Sequence, residues 1–141
     1  MDQLARDFAD QASFVFIYIR EAHPDEFPDY AAHKSFEQKW KHAVDLRERH
    51  QTPRTIVVDD LDGSVHRLYG GRLDTCWIVN AAGRVSYKAE WTSEPHVRKA
   101  LEDTLRVSEL TRQGGFKDFY QESMTVIEGG RPPSKRELAR S

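Results

Sequence analysis

Apolar and polar positions follow two rhythms along this chain. Leu4, Phe8 and Ala12 recur at helical spacing and predict an opening helix that Ser13 ends. Ser13 to Ile19 (SFVFIYI) is then almost continuously apolar and rich in aromatic and β-branched residues. That composition suits a strand covered on both faces, as in a parallel α/β sheet. Residues 20–34, with two prolines and four carboxylates, read as loop. Ser35 with Gln38 three residues on forms a capping box, and Phe36, Trp40, Ala43 and Val44 line one face of the helix it starts.

Pro53 breaks that helix, and Arg54 to Val58 (RTIVV) predicts a second buried strand. Asp59 to Gly63 turns the chain, and a short helical stretch leads to Gly70-Gly71. Thr75 to Asn80 and Arg84 to Lys88 predict two strands joined as a hairpin by Ala81-Ala82-Gly83. Thr92 or Ser93 can cap a helix with Pro95 in its first turn. Val97, Leu101 and Leu105 supply the buried face of that helix, and Gly114-Gly115 stops it. Phe116, Phe119, Tyr120, Ser123 and Met124 then resume helical spacing. The order helix–strand–helix–strand–hairpin–helix predicts an α/β, thioredoxin-like fold, a mixed central sheet flanked by helices with its first strand absent.

Composition narrows the function classes. A chain of 141 residues holds one domain with a real core. A formal net charge of -2 disfavours a general nucleic-acid surface, which needs clustered positive charge. No run of roughly 18 apolar residues suggests a membrane span. The first residues are acidic where a secretory signal would be basic, so a cytoplasmic location is expected. The single cysteine, Cys76, excludes an intramolecular disulfide and any two-cysteine redox motif.

Phe16-Ile17-Tyr18-Ile19-Arg20-Glu21-Ala22-His23-Pro24 resembles the signature Y-I-E-E-A-H-P of the iodothyronine deiodinases, a branch of the thioredoxin-like proteins, with Arg20 in place of the first glutamate. His33-Lys34-Ser35-Phe36-Glu37 is similar to that family's H-x-S-L-E, Val57-Val58-Asp59 to its V-V-D, and Leu68-Tyr69-Gly70-Gly71 to its A-Y-G-A. Trp77-Ile78-Val79 with Gly83 to Lys88 resembles its Y-V-I…G-x-I-x-Y-x-G. The spacing agrees over roughly residues 4–105. The family's arginine before the fourth strand falls on Thr75.

The resemblance implies a site. In that family the glutamate and first histidine of this signature, with the later histidine, lie beside the reactive selenium or sulfur, bind the iodophenol and relay protons. Carried over, these positions make Glu21, His23 and His33 the candidate catalytic residues. Tyr18, Trp91 and Arg131 are the candidate substrate-binding residues. The family's G-S-x-T-(seleno)cysteine-P-P motif belongs upstream of the first helix, and the sequence given starts at Met1. Residues 1–113 are then expected to form the deiodinase-like domain and 114–141 a C-terminal extension. In that extension Met124 to Glu128 either replaces the missing strand, placing Arg131-Pro132-Pro133 at the reactive position, or precedes a basic tail. A replacement would make the chain a circular permutant or a strand-exchanging homo-oligomer.

Glu21 and His23 follow the end of a buried strand, the edge where α/β proteins place ligands. A carboxylate beside an imidazole raises the histidine's pKa and can orient its proton for acid–base work. The alternative is a loop that only fixes the strand end, and His33 could equally just flank the Ser35 cap. His23 and His33 with Asp25, Glu26 and Asp29 could ligate a metal, but no tight histidine spacing supports it, and no metal or cofactor is assigned. Cys76 is expected to be a buried structural cysteine. Asp59, Asp60 and Asp62 with Gly63 read as a turn. Trp40 and Trp77 read as packing residues, and His42, His50, His66 and His96 as solvated. Three functions follow. The first is a pocket for a small aromatic or phenolic molecule, worked by Glu21, His23 and His33 without thiol chemistry. The second is a non-catalytic binding or assembly module, and the third a deiodinase-like reductase that would have to use Cys76. The first and third of these are enzymatic or enzyme-derived, and the second is not.

Overall fold

The computed structural model describes residues 1–21, 24–26 and 28–115. Over these the chain is α/β, in the order α1 (Asp2–Asp7), β1 (Val15–Tyr18), α2 (Phe36–His50), β2 (Thr55–Val58), α3 (Ser64–Leu68), β3 (Cys76–Val79), β4 (Val85–Ala89) and α4 (Glu94–Arg112). Residues 116–141, together with Ala22, His23 and Phe27, lie outside the described residues. With them lie the candidate site residues His23 and Arg131 and the candidate strand 124–128.

The capping box forms at α2. Ser35 Oγ accepts from the Gln38 amide at 3.2 Å, and Gln38 Oε1 accepts from the Lys34 amide at 2.9 Å. α2 ends on Gln51 in the left-handed region, two residues before Pro53. At the hairpin, Asn80 Oδ1 accepts from the amides of Ala82 and Arg84, both at 3.0 Å, and Gly83 takes a φ of 74°. Only glycine adopts that backbone without strain. α4 closes on a Schellman motif, in which the Gly115 amide donates to the Leu110 carbonyl at 2.9 Å and Gly114 sits at φ 87°.

The strands make two separate two-stranded sheets among the described residues. β1 and β2 pair in parallel, Val15 with Thr55 through Tyr18 with Val58. β3 and β4 pair antiparallel, with a register shift between Ile78 and Val79. One mixed central sheet was the expectation, and no described strand joins the two pairs. α2 packs on β2, and α4 packs on the hairpin. α1 is tied on both sides: Asp2 Oδ1 accepts from Arg54 Nε at 2.6 Å, and Asp7 Oδ2 from Arg98 Nη2 at 2.8 Å. The Arg98 guanidinium also lies 5.7 Å from the Phe8 ring centre.

Three expectations need correction. α1 ends at Asp7, and residues 8–11 are turn, so the opening helix is shorter than its apolar spacing suggested. SFVFIYI is covered on one face only. Strand partners share a face, and the face with Val15, Ile17, Thr55 and Val57 leaves Val15 57% and Val57 42% exposed. The opposite face, holding Phe16, Tyr18, Ile56 and Val58, is half-buried to buried. The third concerns α2, which buries Lys39, His42 and Ala43 while Phe36 and Trp40 lie exposed on its rim. Polar partners decide this rotation. Lys39 Nζ reaches the Asp60 carbonyl at 2.7 Å, and His42 meets Glu21, so the arc of α2 that faces the sheet is partly polar.

Candidate functional site

The C-terminal end of β1 gathers a polar cluster. Tyr18, the last residue of the strand, is 3% exposed and donates its hydroxyl to Glu21 Oε1. The same oxygen lies 3.3 Å from His42 Nδ1, an ion-pair distance without hydrogen-bond alignment. One carboxylate oxygen thus faces both a phenol and an imidazole. Tyr30 packs edge-on against His42, with ring centres 5.2 Å apart, and accepts from Arg49 Nη2 at 2.6 Å. The His33 ring is tilted against Tyr18, with ring centres 6.4 Å apart. The buried Nδ1 of His33 has no hydrogen-bond partner among the described residues.

Burial and neighbouring charge set the protonation states. Burial pushes the Tyr18 phenol far up, and the Glu21 carboxylate adds to it, so Tyr18 stays a hydrogen-bond donor. Burial pushes His33 down, the charges of Lys39 and His42 push the same way, and Glu21 opposes them. His33 is thereby held neutral, with one ring nitrogen able to accept a proton. A stability consequence follows. The unfolded chain titrates at the ordinary histidine value of 6.5 and the folded chain lower. In that window the unfolded state binds more protons, so this contribution is complete above 6.5 and is lost as pH falls. The urea midpoint is expected to drop on acidification from neutrality through this window, and to drop less steeply in His33→Gln. Equal slopes would sink the assignment.

Beneath the cluster, Lys39 is fully buried and Asp59 is 2% exposed. Burial pushes the Lys39 ammonium down, and the Asp59 and Asp60 carboxylates oppose it. Asp59 Oδ1 accepts from the amides of Asp60 and Val65 at 2.9 and 3.0 Å, and Oδ2 from His66 at 2.9 Å. Those amides include donors of the first turn of α3, whose own N-cap, Gly63, offers no side chain. Lys39 therefore pins the β2–α3 turn to α2.

Of the sequence-derived candidates, the structure brings together Tyr18, Glu21 and His33. Trp91 is 58% exposed and makes no hydrogen bond or ring contact with the cluster among the described residues. His42 corrects its solvated reading: at 7% exposure it belongs to the cluster, because α2 turns Lys39, His42 and Ala43 inward. The i, i+3, i+4 spacing of those three was the available signal, masked by the more apolar Phe36–Trp40 stripe. Tyr30 gave no sequence signal. Cys76 is half-buried, and burial with the Asp74 charge pushes its thiol up, the opposite of a reactive thiolate. Among the described residues no three His, Cys, Asp or Glu side chains come together as a metal site, and no helix is long and apolar enough to cross a membrane.

Two shallow grooves lie elsewhere. One of about 400 Å³ is lined by Ala5, Ala9, Phe14 and Pro53, and one of about 550 Å³ runs along Glu37, Trp40 and Val44. Neither reaches Tyr18, Glu21 or His33. No protein-family model matches this sequence, and no solved structure matches its fold.

Proposed function

We propose that this chain binds a small aromatic molecule bearing a hydroxyl group at the Tyr18–Glu21–His33 end of β1, on a thioredoxin-like, deiodinase-related scaffold. The observation that carries the reading is the buried Nδ1 of a neutral His33, unpartnered among the described residues, near a carboxylate whose contacts with Tyr18 and His42 both fall on Oε1. A buried ring nitrogen without a partner costs about 1–3 kcal/mol, and a ligand hydroxyl would recover it. The Glu21 Oε2 oxygen offers that hydroxyl a second partner. By the same resemblance, His23 contributes a second imidazole. An acid–base role for Glu21 and His33 needs no thiol, and the raised Cys76 thiol weighs against a reductase.

Titration with 2,6-diiodophenol and with unsubstituted phenol, followed by isothermal calorimetry, tests this. Glu21→Gln and His33→Ala are each expected to weaken binding at least tenfold, or about 1.4 kcal/mol. Binding that both variants leave intact would remove the reading. A second function, a non-catalytic assembly module, is favoured by the uncovered Val15–Val57 face of the β1/β2 sheet.

A further inference from the structure

The outward rotation of α2 leaves an aromatic stripe on the surface. Its inward arc holds Lys39, His42 and Ala43, whereas Phe36 is 47% and Trp40 55% exposed. Their ring centres lie 6.4 Å apart, and Val44 continues the stripe at i, i+4, i+8 spacing. Large aromatic side chains present about 150–250 Å² each, so this pair leaves about 200 Å² of mostly apolar surface bare. The groove of about 550 Å³ runs beside the stripe and is lined by Glu37 and Lys41 as well as Trp40 and Val44. Glu37 and Lys41 are exposed, and among the described residues neither forms an ion pair. The stripe is thus flanked by one unmatched carboxylate and one unmatched ammonium, four residues apart.

We propose that this stripe is the two-fold interface of a homodimer, with α2 of one copy lying antiparallel on α2 of the other. A partner of one charge sign would leave Glu37 or Lys41 unmatched, and a second copy matches both. The spacing makes the surface self-complementary. Phe36 and Trp40 are four residues apart, and so are Glu37 and Lys41, in the same order along the helix. A two-fold axis at the level of Gln38 and Lys39 therefore sets Phe36 against the partner's Trp40 and Glu37 against the partner's Lys41, each twice. Parallel helices would instead set like charge on like charge, which disfavours that pairing. Aromatic anchors at the centre with charges on the flank match the composition of protein interfaces. A standard interface buries about 800 Å² per partner, of which the two aromatics supply about a quarter, so the association is reversible and depends on concentration. The contact leaves the inward arc of α2 untouched, including His42 at Glu21, and so goes beyond the phenol reading without depending on it.

Sedimentation equilibrium of the full chain, from micromolar to millimolar concentration, tests the interface. A monomer–dimer equilibrium is expected. Trp40→Ser should weaken it at least tenfold, and Lys41→Glu, which sets carboxylate against carboxylate across the axis, by a similar factor. The double variant Glu37→Lys with Lys41→Glu exchanges the two charges and should restore the native dissociation constant to within threefold. Only a surface that pairs with itself in the antiparallel sense gives that recovery. All three positions are exposed, and a native urea midpoint shows that each variant is folded. Should Trp40→Ser lose that midpoint, the charge exchange alone decides. A monomer at every concentration would overturn the proposal, whether the stripe is then bare or covered by another part of the chain. A dimer that neither Trp40→Ser nor Lys41→Glu weakens would overturn it too, assigning association to another surface such as the Val15–Val57 face. So would a double variant that stays as weak as Lys41→Glu.

Discussion

Asp59→Ala is expected to destabilise the chain by about 3 kcal/mol or more, measured by urea unfolding at neutral pH. Three backbone amides donate to this carboxylate, and the side chain is 2% exposed. Alanine would leave those donors without their acceptor at the start of α3, a helix too short to hold itself. It would also remove one of the two carboxylates that offset the fully buried Lys39 ammonium. An unsatisfied buried group costs about 1–3 kcal/mol and three donors lose one acceptor together, so even partial relaxation leaves a large effect. Lys39→Met provides the contrast. It removes one hydrogen bond to the Asp60 carbonyl and a desolvated charge together, while Asp59 keeps its amide donors. The methionine variant should therefore lose less than half as much as Asp59→Ala. If the two variants lose equal stability, the carboxylate matters only as a counter-charge, and the capping argument fails.

Leu4→Ala should cost about 3 kcal/mol, in the range of buried leucine truncations. Leu4 is fully buried, and the buried hydrophobic set among the described residues is small: Leu4, Ala5, Tyr18, Ala43, Val97 and Leu101. α1 spans only six residues, and its remaining anchors are the Asp2–Arg54 and Asp7–Arg98 pairs, both partly solvated. Pairs of that kind contribute little, typically below about 1 kcal/mol each. Leu4 is thus the main apolar anchor of α1. Leu68→Ala, at 83% exposure, is the control and should change stability by less than about 0.5 kcal/mol. A calorimetric melt that shifts equally for both variants would show that α1 docks through its ion pairs instead.

Local chemistry was legible wherever the cause lay within a few residues. Ser35 with Gln38 marked the start of α2, Pro53 its limit, Gly83 the hairpin and Gly114-Gly115 the end of α4, and each appears at or within a few residues of its expected place. The candidate site was legible in part. Tyr18, Glu21 and His33 are singled out by the strand-end segment and its likeness to a known signature, and the fold sets them in one cluster. Tyr30 was not legible, and the spacing of His42 with Lys39 and Ala43 was outranked by the more apolar Phe36–Trp40 stripe. Their membership depends on which arc of α2 turns inward.

That rotation shows where the sequence stops. By itself the chain determined its α/β class, the order of its elements, and the caps and turns that bound them, because these depend on backbone conformation and on partners close in sequence. Only the tertiary structure decided that α2 turns Lys39 and His42 inward in preference to Phe36 and Trp40. Apolar periodicity ranks faces by hydrophobicity alone. A lysine that reaches the Asp60 carbonyl 21 residues away, and a histidine that meets Glu21, gain partners no periodicity can register. The same holds for β1, whose apolar run implied two covered faces while the packing of α2 covers one. Burial is a property of what packs against a residue, and that is fixed by contacts distant in sequence.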